Sequence, residues 1–390
     1  MKPRERLRMA LHHQQPDRVP MDLGATRNSG IVMPAYERLV KCLGLDGETR
    51  PLGRTGTSRV LGVASPDEQV LARLGIDVRG VFLGAPDNWR DIELPDNAYQ
   101  DEWGVVWRRP PSSLYYDPIR FPLAGALTPH EVARYPWPDV ANDPGFTRGL
   151  RERALWLREH TDYGIVLHLQ DICVHYSQWL RGYENWYMDF YLNPDVLCTI
   201  MDAVLERRMA VAAQAVEAVG DLVDVVSCSD DVADQRGPIV SPATYRQFIK
   251  PRHRQFFDLI HAKTDAKVLF HTDGAILELL PDFIEIGIDF VNPVDVNAAG
   301  MDTAHLKREF GNQIGFWGGI DNKRALPAGT QADVRAEVAR RIRDLAPGGG
   351  YVLAAVHNIQ VDVPPENVVA MFDTARELGH EPLEGTWIEA

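Results

Sequence analysis

The sequence of 390 residues predicts an α/β fold, a single (β/α)₈ barrel that spans residues 1–390 as one domain. From residue 160 onward, short apolar segments alternate with amphipathic ones, which is the strand–helix rhythm of a parallel barrel. About eight such strands can be counted, and this number favours a closed barrel over an open sheet. No G-x-G-x-x-G motif follows any predicted strand, which disfavours a dinucleotide-binding sheet.

The predicted strands are apolar runs that end at turn residues or at polar side chains. Two lie upstream and six follow residue 160, at 18–22, 77–82, 165–169, 222–227, 267–270, 289–291, 313–317 and 351–356. Helical spacing of apolar side chains predicts helices over 179–192, 194–218, 242–263, 275–285, 303–310, 332–345 and 365–378. Ser241 followed by Pro242 is typical of a helix start and is assigned no chemistry.

The stretch from Asp87 to about Trp137 interrupts this rhythm. It is rich in proline and tryptophan, and the segment Glu102-Trp103-Gly104-Val-Val-Trp107 indicates a small hairpin. We therefore expect residues from about 87 to 137 to form an arm inserted near the barrel mouth, and not a separate domain.

The composition restricts the classes of function. The formal net charge of −14, from 41 basic and 55 acidic residues, argues against unspecific binding to nucleic acid or to anionic membranes. No apolar run approaches the roughly 20 residues that span a bilayer, and the N-terminus lacks the apolar core of a signal peptide. The four cysteines form no C-x-x-C pair, so the sequence predicts a cytoplasmic protein without a disulfide framework.

The most informative stretch is Val268-Leu-Phe-His271-Thr-Asp273-Gly274, a buried strand that ends in an imidazole and a carboxylate. The last predicted strand ends similarly, at His357. Active sites of these barrels lie at the C-terminal ends of the strands, so His271, Asp273 and His357 form a predicted cluster for metal binding or acid–base chemistry. Zinc tolerates such a mixed ligand set, and iron or manganese are alternatives. Without a metal, His271 or His357 would donate or accept a proton beside an anionic substrate.

Further candidates follow the other strands, although polar loop residues are common for structural reasons alone. Arg27 lies in the first loop, Asp77 in the region of the second strand, and Gln170 after the strand at 165–169. Asp230 and Asp231 follow the strand at 222–227, and only one of two adjacent acids on an extended segment can face the pocket. We select Asp230 as the candidate catalytic acid.

Several motifs together resemble the uroporphyrinogen decarboxylase superfamily, which also contains methyltransferases that pass methyl groups to or from corrinoid cofactors. The resemblance covers nearly the whole chain and implies a single barrel. It rests on Arg4-Glu-Arg-Leu-Arg-Met-Ala-Leu with Pro16-Asp-Arg-Val-Pro, Leu180-Arg-Gly-Tyr-Glu-Asn185, Asp230-Asp-Val-Ala-Asp-Gln235, Ser241-Pro, Phe316-Trp-Gly-Gly-Ile320-Asp and Gly348-Gly-Gly-Tyr-Val-Leu.

The two branches of the superfamily differ in their sites. The decarboxylases have an R-Q-A-G-R-Y segment in the first loop, where this chain has Gly24-Ala-Thr-Arg27-Asn28-Ser-Gly30 with one arginine. Asp77 stands roughly where those enzymes have an aspartate, and His357 where they have a late histidine. The methyltransferases bind zinc through His-x-Cys and a distant Cys, and here the corresponding residues are His271, Asp273 and His357. The exchange of both thiolates for Asp and His suits an oxygen-bound methyl group better than a thiol.

The resemblance therefore favours a methyltransferase that moves a methyl group from a small methoxylated or methylated compound to a corrinoid protein. Zinc on the three ligands would polarise the leaving heteroatom, and Asp230, Arg27 or Gln170 would orient the substrate. The alternative is decarboxylation of a tetrapyrrole or another carboxylate, with Arg27 and Arg79 holding anions and Asp77 stabilising a protonated ring. A third reading is a corrinoid- or tetrapyrrole-binding protein without catalysis. The predicted partners are a small molecule and a corrinoid protein, with a homodimer as one oligomeric alternative.

Overall fold

Seven parallel strands form the barrel of this protein, for which the computed structural model describes residues 1–46, 50–52 and 56–378. Each strand pairs with the next one along the chain, so the spatial order equals the sequence order. The strands are β1 (Val78–Phe82), β2 (Gly164–Asp171), β3 (Val225–Ser229), β4 (Lys267–His271), β5 (Phe290–Asn292), β6 (Gly315–Ile320) and β7 (Tyr351–Ala355).

A single residue, Met21, closes the ring between β7 and β1. Met21 forms a parallel bridge with Leu353, and its carbonyl accepts a hydrogen bond of 3.0 Å from the Asp77 N–H. The predicted strand at 18–22 is thus reduced to one bridge, because Pro20 within it and Pro16 before it have no N–H to donate to a neighbour. The predicted (β/α)₈ barrel is confirmed, with this segment in the place of the eighth strand.

The strand residues are almost all buried, since helices cover the outside of the sheet and side chains fill its inside. This explains why the strands could be recognised as continuous apolar runs. The helices are Pro3–Leu11, Met33–Cys42, Gly56–Leu61, Glu68–Leu74, Pro129–Ala133, Leu150–His160, Val174–Arg181, Tyr183–Asp189, Pro194–Val219, Pro242–Thr244, Lys250–His261, Leu280–Glu285, Thr303–Phe310, Ala325–Ala328, Gln331–Leu345 and Pro365–Leu378.

Two predicted helices are interrupted. The helix expected over 179–192 begins earlier, at Val174, and is divided at Gly182, whose φ of 81° is unfavourable for other residues. The helix expected over 242–263 contains a π-helical turn, Tyr245–Ile249. Within the described residues, none of the helices combines the length and apolar character needed to cross a bilayer.

The predicted arm contains a four-stranded antiparallel sheet between β1 and β2. Its strands are Ile92–Leu94, Ala98–Gln100, Val106–Arg108 and Asp117–Arg120, paired in that order. Trp103 packs on Tyr176 with ring centroids 4.7 Å apart, and Trp107 meets Trp179 at 5.0 Å. Both partners lie on the helix that follows the C-terminal end of β2, so the arm lies beside the mouth. The assignment of residues 1–390 to one domain stays a prediction.

Candidate active site at the mouth of the barrel

A cavity of about 150 Å³ opens at the C-terminal ends of the strands. This is the end where barrels of this type hold their active sites. The residues that line the cavity come from the first loop, from the helices Gly56–Leu61 and Val174–Arg181 and from the ends of four strands. They are Arg27, Asn28, Val60, Leu61, Asp171, His175, Trp179, Asp231, His271 and His357.

The structure brings together the three predicted metal ligands. His271 ends β4, Asp273 follows two residues later, and His357 follows β7. The His271 Nε2 lies 3.9 Å from Asp273 Oδ1, and the His357 Nε2 lies 4.0 Å from Asp273 Oδ2. One ligand atom from each residue falls within 4.8 Å of the others.

Asn292 at the end of β5 orients the imidazole of His271. The amide Nδ2 of Asn292 donates to the Trp317 carbonyl at 3.0 Å, so its Oδ1 faces His271 Nδ1, at 2.5 Å. Since Oδ1 only accepts, the proton of His271 is on Nδ1, and the lone pair of Nε2 is directed toward Asp273. Burial lowers the pKa of His271, which favours the neutral form that binds metals.

A second group of charged side chains, the mouth cluster, consists of Arg27, Asp171, His175 and Asp231. Arg27 pairs with Asp171, which also accepts a hydrogen bond from the Ser229 hydroxyl at 2.7 Å. The His175 ring lies between Asp171 and Asp231, with Nδ1 3.1 Å from Asp171 Oδ1 and Nε2 3.3 Å from Asp231 Oδ2. Charges of both signs are therefore balanced within the cavity wall.

Asp231, and not the predicted Asp230, is the member of the acidic pair that faces the cavity. Asp230 is fully buried beneath the helix Val174–Arg181, where Oδ2 accepts the backbone N–H groups of Cys173 and Val174 at 2.7 and 2.9 Å. Its carboxylate stabilises the helix N-terminus, so it lies away from any substrate in the cavity. The sequence predicts that one of the two adjacent acids faces the cavity, but the alternation of side chains along the segment does not determine which one.

Asp77 and Arg79 lie at the opposite end of the barrel from the cavity. Asp77 precedes β1, and its two oxygens accept hydrogen bonds from Arg6, Arg18 and the Met21 N–H. Arg79 pairs with Glu68 at 2.7 Å and donates to two backbone carbonyls. The sequence placed Asp77 within its strand, but the strand begins one residue later, and the carboxylate therefore belongs to the N-terminal end.

Gln170 is buried, and its Oε1 accepts a hydrogen bond of 3.1 Å from the Tyr176 hydroxyl, so it does not reach the cavity wall. Sequence reasoning selected Arg27 correctly as a residue of this region but did not select Asp171, His175, Trp179 or Asp231. Three buried polar atoms near the strand ends have no hydrogen-bond partner among the described residues, namely His168 Nε2, Asp171 Oδ2 and Asn358 Nδ2.

Comparisons with known proteins agree with this architecture. The model of the uroporphyrinogen decarboxylase family, URO-D, matches residues 177–378. A uroporphyrinogen decarboxylase from Neisseria meningitidis is 27% identical over 200 residues, which cover 49% of this chain and 51% of that protein. The methylcobamide:CoM methyltransferase MtaA from Methanosarcina barkeri is 27% identical over 192 residues, again 49% of this chain and 51% of the relative. The chain thus spans about half the length of the curated relatives it matches.

A solved structure of a methyltransferase from Methanosarcina mazei superimposes with a TM-score of 0.65 at 20% identity. The superposition covers 97% of this chain and 99% of that protein, and it shows that the two share the fold.

Proposed function

The chain belongs to the uroporphyrinogen decarboxylase family, and from that premise we propose that it is a metal-assisted methyltransferase. Its substrate would be a small methoxylated or methylated compound, and its methyl acceptor a corrinoid carried by a partner protein. The observation that carries the proposal is the convergence of His271, Asp273 and His357 beside a cavity of about 150 Å³.

The donor set fits a divalent metal such as zinc. Two ligands of a tetrahedral zinc ion lie about 3.4 Å apart. The three ligand atoms lie within 4.8 Å of one another, so side-chain shifts of about an ångström would bring them to zinc distances. The tautomer that Asn292 imposes on His271 already directs the lone pair of Nε2 toward the site. When bound there, a metal with an open coordination position would act as a Lewis acid on the heteroatom that carries the methyl group.

The size of the cavity supports a small substrate. A volume of about 150 Å³ lies below the roughly 300–1,000 Å³ of pockets that hold ligands of drug size. A methoxylated aromatic ring or a methylamine agrees with this volume better than a tetrapyrrole does.

The charges of the cavity support the same substrate class. A tetrapyrrole with several carboxylates would need several cations, because an unpaired buried carboxylate costs several kcal/mol. Among the described residues that line the cavity, Arg27 is the one arginine, and both Arg27 and His175 already contact carboxylates. Decarboxylation is the alternative function, because the similar proteins include uroporphyrinogen decarboxylases.

The test combines metal analysis with two activity assays. The protein is purified without chelator, and we expect about one equivalent of metal in the wild type, less than a tenth of that in His271→Ala, and an unchanged content in the control His160→Ala. His160 is an exposed residue of the outer helix Leu150–His160. The wild type is then incubated with a corrinoid protein and a panel of methoxylated aromatics and methylamines, and separately with uroporphyrinogen.

Methyl transfer to the corrinoid, lost in His271→Ala and kept in His160→Ala, would support the proposal. Carbon dioxide release from uroporphyrinogen, without methyl transfer, would replace it by the decarboxylase. A metal content that is equal in all three proteins would remove the role assigned to His271.

A further inference from the structure

We propose that His175 is the proton donor of this site, and that Asp171 and Asp231 keep its ring charged and oriented toward the cavity. The inference deepens the proposed function and rests on it for the reaction, because it names the group that protonates the departing atom.

The contacts of the ring support this role. The Nδ1 and Nε2 atoms lie 3.1 and 3.3 Å from carboxylate oxygens of Asp171 and Asp231, and neither of these oxygens can donate a hydrogen bond while ionised. Nδ1 forms a hydrogen bond with Asp171 and Nε2 makes an ion-pair contact with Asp231, so both carboxylates favour the imidazolium form of the ring. Its side chain is 19% exposed, and it lines the cavity, so its edge can be reached by a bound molecule.

The position of the His175 ring is also fixed by an aromatic neighbour and by the backbone of its helix. The ring stacks on Trp179 with an interplanar angle of 9° and a centroid distance of 5.3 Å. Asp230 accepts the backbone N–H groups at the start of this helix, including that of His175 at 3.2 Å, and is itself contacted by His253 Nε2 at 3.2 Å. Asp230 is thus a positioning residue that fixes the turn on which His175 stands.

Electrostatics around the ring favour the charged form. Burial and the helix N-terminus both oppose a cation, but the carboxylates of Asp171 and Asp231 outweigh burial and raise the pKa of His175 well above its usual range. Asp171, Asp230 and Asp231 lie within 4 Å of the ring, Tyr183 and Tyr187 interact with it electrostatically, and Arg27 lines the same cavity and pairs with Asp171.

The other titratable groups of the cavity wall are poor proton donors. Arg27 keeps its proton at any relevant pH. Burial opposes ionisation of Asp171, but Arg27 and His175 lower its pKa well below the usual range, and Asp231 is affected similarly by His175. His271 and His357 are assigned to the metal. Among the cavity-lining residues that the structure describes, His175 therefore has the proton that can be transferred.

A proton from His175 neutralises the negative charge that the proposed reaction leaves on the substrate heteroatom. The bond between the methyl carbon and the substrate heteroatom breaks, and its electron pair stays on the heteroatom. The methyl group is transferred as a cation equivalent, and the corrinoid acceptor, in its reduced form, would supply the electron pair of the new bond to the methyl carbon. The heteroatom takes the proton from His175 Nε2, and the neutral imidazole is protonated again from water, which leaves hydroxide. Decarboxylation also leaves an electron pair that needs a proton, so a donor at this position serves either reaction class.

The first test does not depend on any reaction. The 12 histidines are labelled with ¹⁵N, and the His175 signals are assigned by their loss in His175→Gln. We expect both ring nitrogens of His175 to remain protonated well above the usual titration range of histidine, and Asp231→Asn to shift this titration down by at least one pH unit. A His175 ring that titrates near pH 6.5 would overturn the proposal.

The second test uses the leaving group. His175→Gln should slow methyl transfer about 10²- to 10⁴-fold from methoxylated aromatics whose phenols are weakly acidic. The loss should fall below about 10-fold for nitro-substituted substrates, whose phenolates leave without a proton. The control is His160→Gln, for which we expect no change with either substrate.

Equal slowing of all substrates by His175→Gln would mean a structural role and would overturn the proposal. If the wild-type protein transfers no methyl group to a corrinoid, the proposed function fails. The inference about His175 then stands or falls on the NMR titration.

Discussion

The protein buries two clusters of arginine and aspartate, one at each end of the barrel, and they differ in how completely their atoms are paired. In the lower cluster of Arg6, Arg18 and Asp77, both carboxylate oxygens accept hydrogen bonds, from the two guanidinium groups and from the Met21 N–H, at 2.6 to 3.0 Å. In the mouth cluster, Asp171 Oδ1 contacts Arg27, His175 and Ser229, whereas its Oδ2 has no partner among the described residues.

The comparison shows that burial and charge do not by themselves mark an active site. Both clusters are buried, and both contain ion pairs, but the lower cluster has no hydrogen-bonding capacity left on its carboxylate. The mouth cluster has unused capacity, and two further unpaired atoms, His168 Nε2 and Asn358 Nδ2, belong to the same end of the barrel. Unpaired buried polar atoms are costly, so they persist where a substrate or an ordered water completes them.

The largest expected effect is on stability, in the lower cluster. Asp77→Asn removes the charge that faces two buried guanidinium groups, and we expect it to lower the free energy of unfolding by about 3–5 kcal/mol. Urea denaturation followed by circular dichroism measures this. The control is Asp373→Asn, which removes a partner of the half-exposed Arg73 and should cost less than about 1 kcal/mol. Equal effects of the two variants would contradict the structural role of the lower cluster.

A third buried acid, Asp22, gives a pH-dependent effect of intermediate size. Its oxygens accept hydrogen bonds from two neutral groups, the Trp317 indole at 2.8 Å and the Ala25 N–H at 2.9 Å. Burial raises its pKa to about 6, from about 3.8 in the unfolded chain. The folded state therefore holds this proton at a higher pH than the unfolded state does. The contribution of Asp22 to the free energy of unfolding is complete below about pH 4 and is lost as the pH rises to about 6.

We therefore expect Asp22→Asn to remove this pH dependence. The variant should gain on the wild type as the pH rises from 4 to 7, and a shift of about two units corresponds to at most about 3 kcal/mol. Denaturation curves at pH 4, 5, 6 and 7 measure the difference between the two proteins, which cancels the titration of other groups. A difference that is constant with pH would show that Asp22 titrates normally.

Much of the fold could be predicted because buried parallel strands are continuous apolar runs. The strands at 267–270 and 351–356 lie within one residue of β4 and β7. The strand predicted around Met21 was too long. Pro16 and Pro20 have no N–H to pair with a neighbouring strand, but they do not change the apolar pattern from which the strand was predicted. The helix break at Gly182 depends on a positive φ, which cannot be predicted from a single glycine in the sequence.

The candidate site could be predicted only for residues whose position at the end of a strand determines on which side of the barrel they lie. His271 and His357 each end a strand, and parallel strands of a barrel end on the same side, so their proximity followed from topology. Asp77 stands at the N-terminal end of its strand, both in the predicted range 77–82 and in the structure, so it lies at the end of the barrel opposite to the cavity. Its partners Arg6 and Arg18 lie 71 and 59 residues away in sequence, and no local pattern connects them.

The smallest expected effect on stability, paired with an effect on activity, concerns the unpaired atom of His168, a buried residue of β2 near its C-terminal end. Burial lowers the pKa of His168 well below its usual range, so the ring is neutral. Its one hydrogen bond to a described residue is a long contact of 3.4 Å between Nδ1 and the Ser227 hydroxyl. His168→Leu replaces the ring by an apolar side chain of similar size, and the free energy of unfolding should change by less than about 1 kcal/mol in either direction.

The same variant should lower kcat/KM for the proposed methyl transfer about 10-fold, because a hydrogen bond of about 1.4 kcal/mol between Nε2 and a water that bridges to the site is lost. Urea denaturation and steady-state kinetics on the same preparation measure both quantities, and His160→Leu is the control for a histidine outside the barrel. A loss of several kcal/mol in stability with unchanged kcat/KM would place His168 with the lower cluster as a structural residue, and unpaired polar atoms would then no longer distinguish the two ends of the barrel.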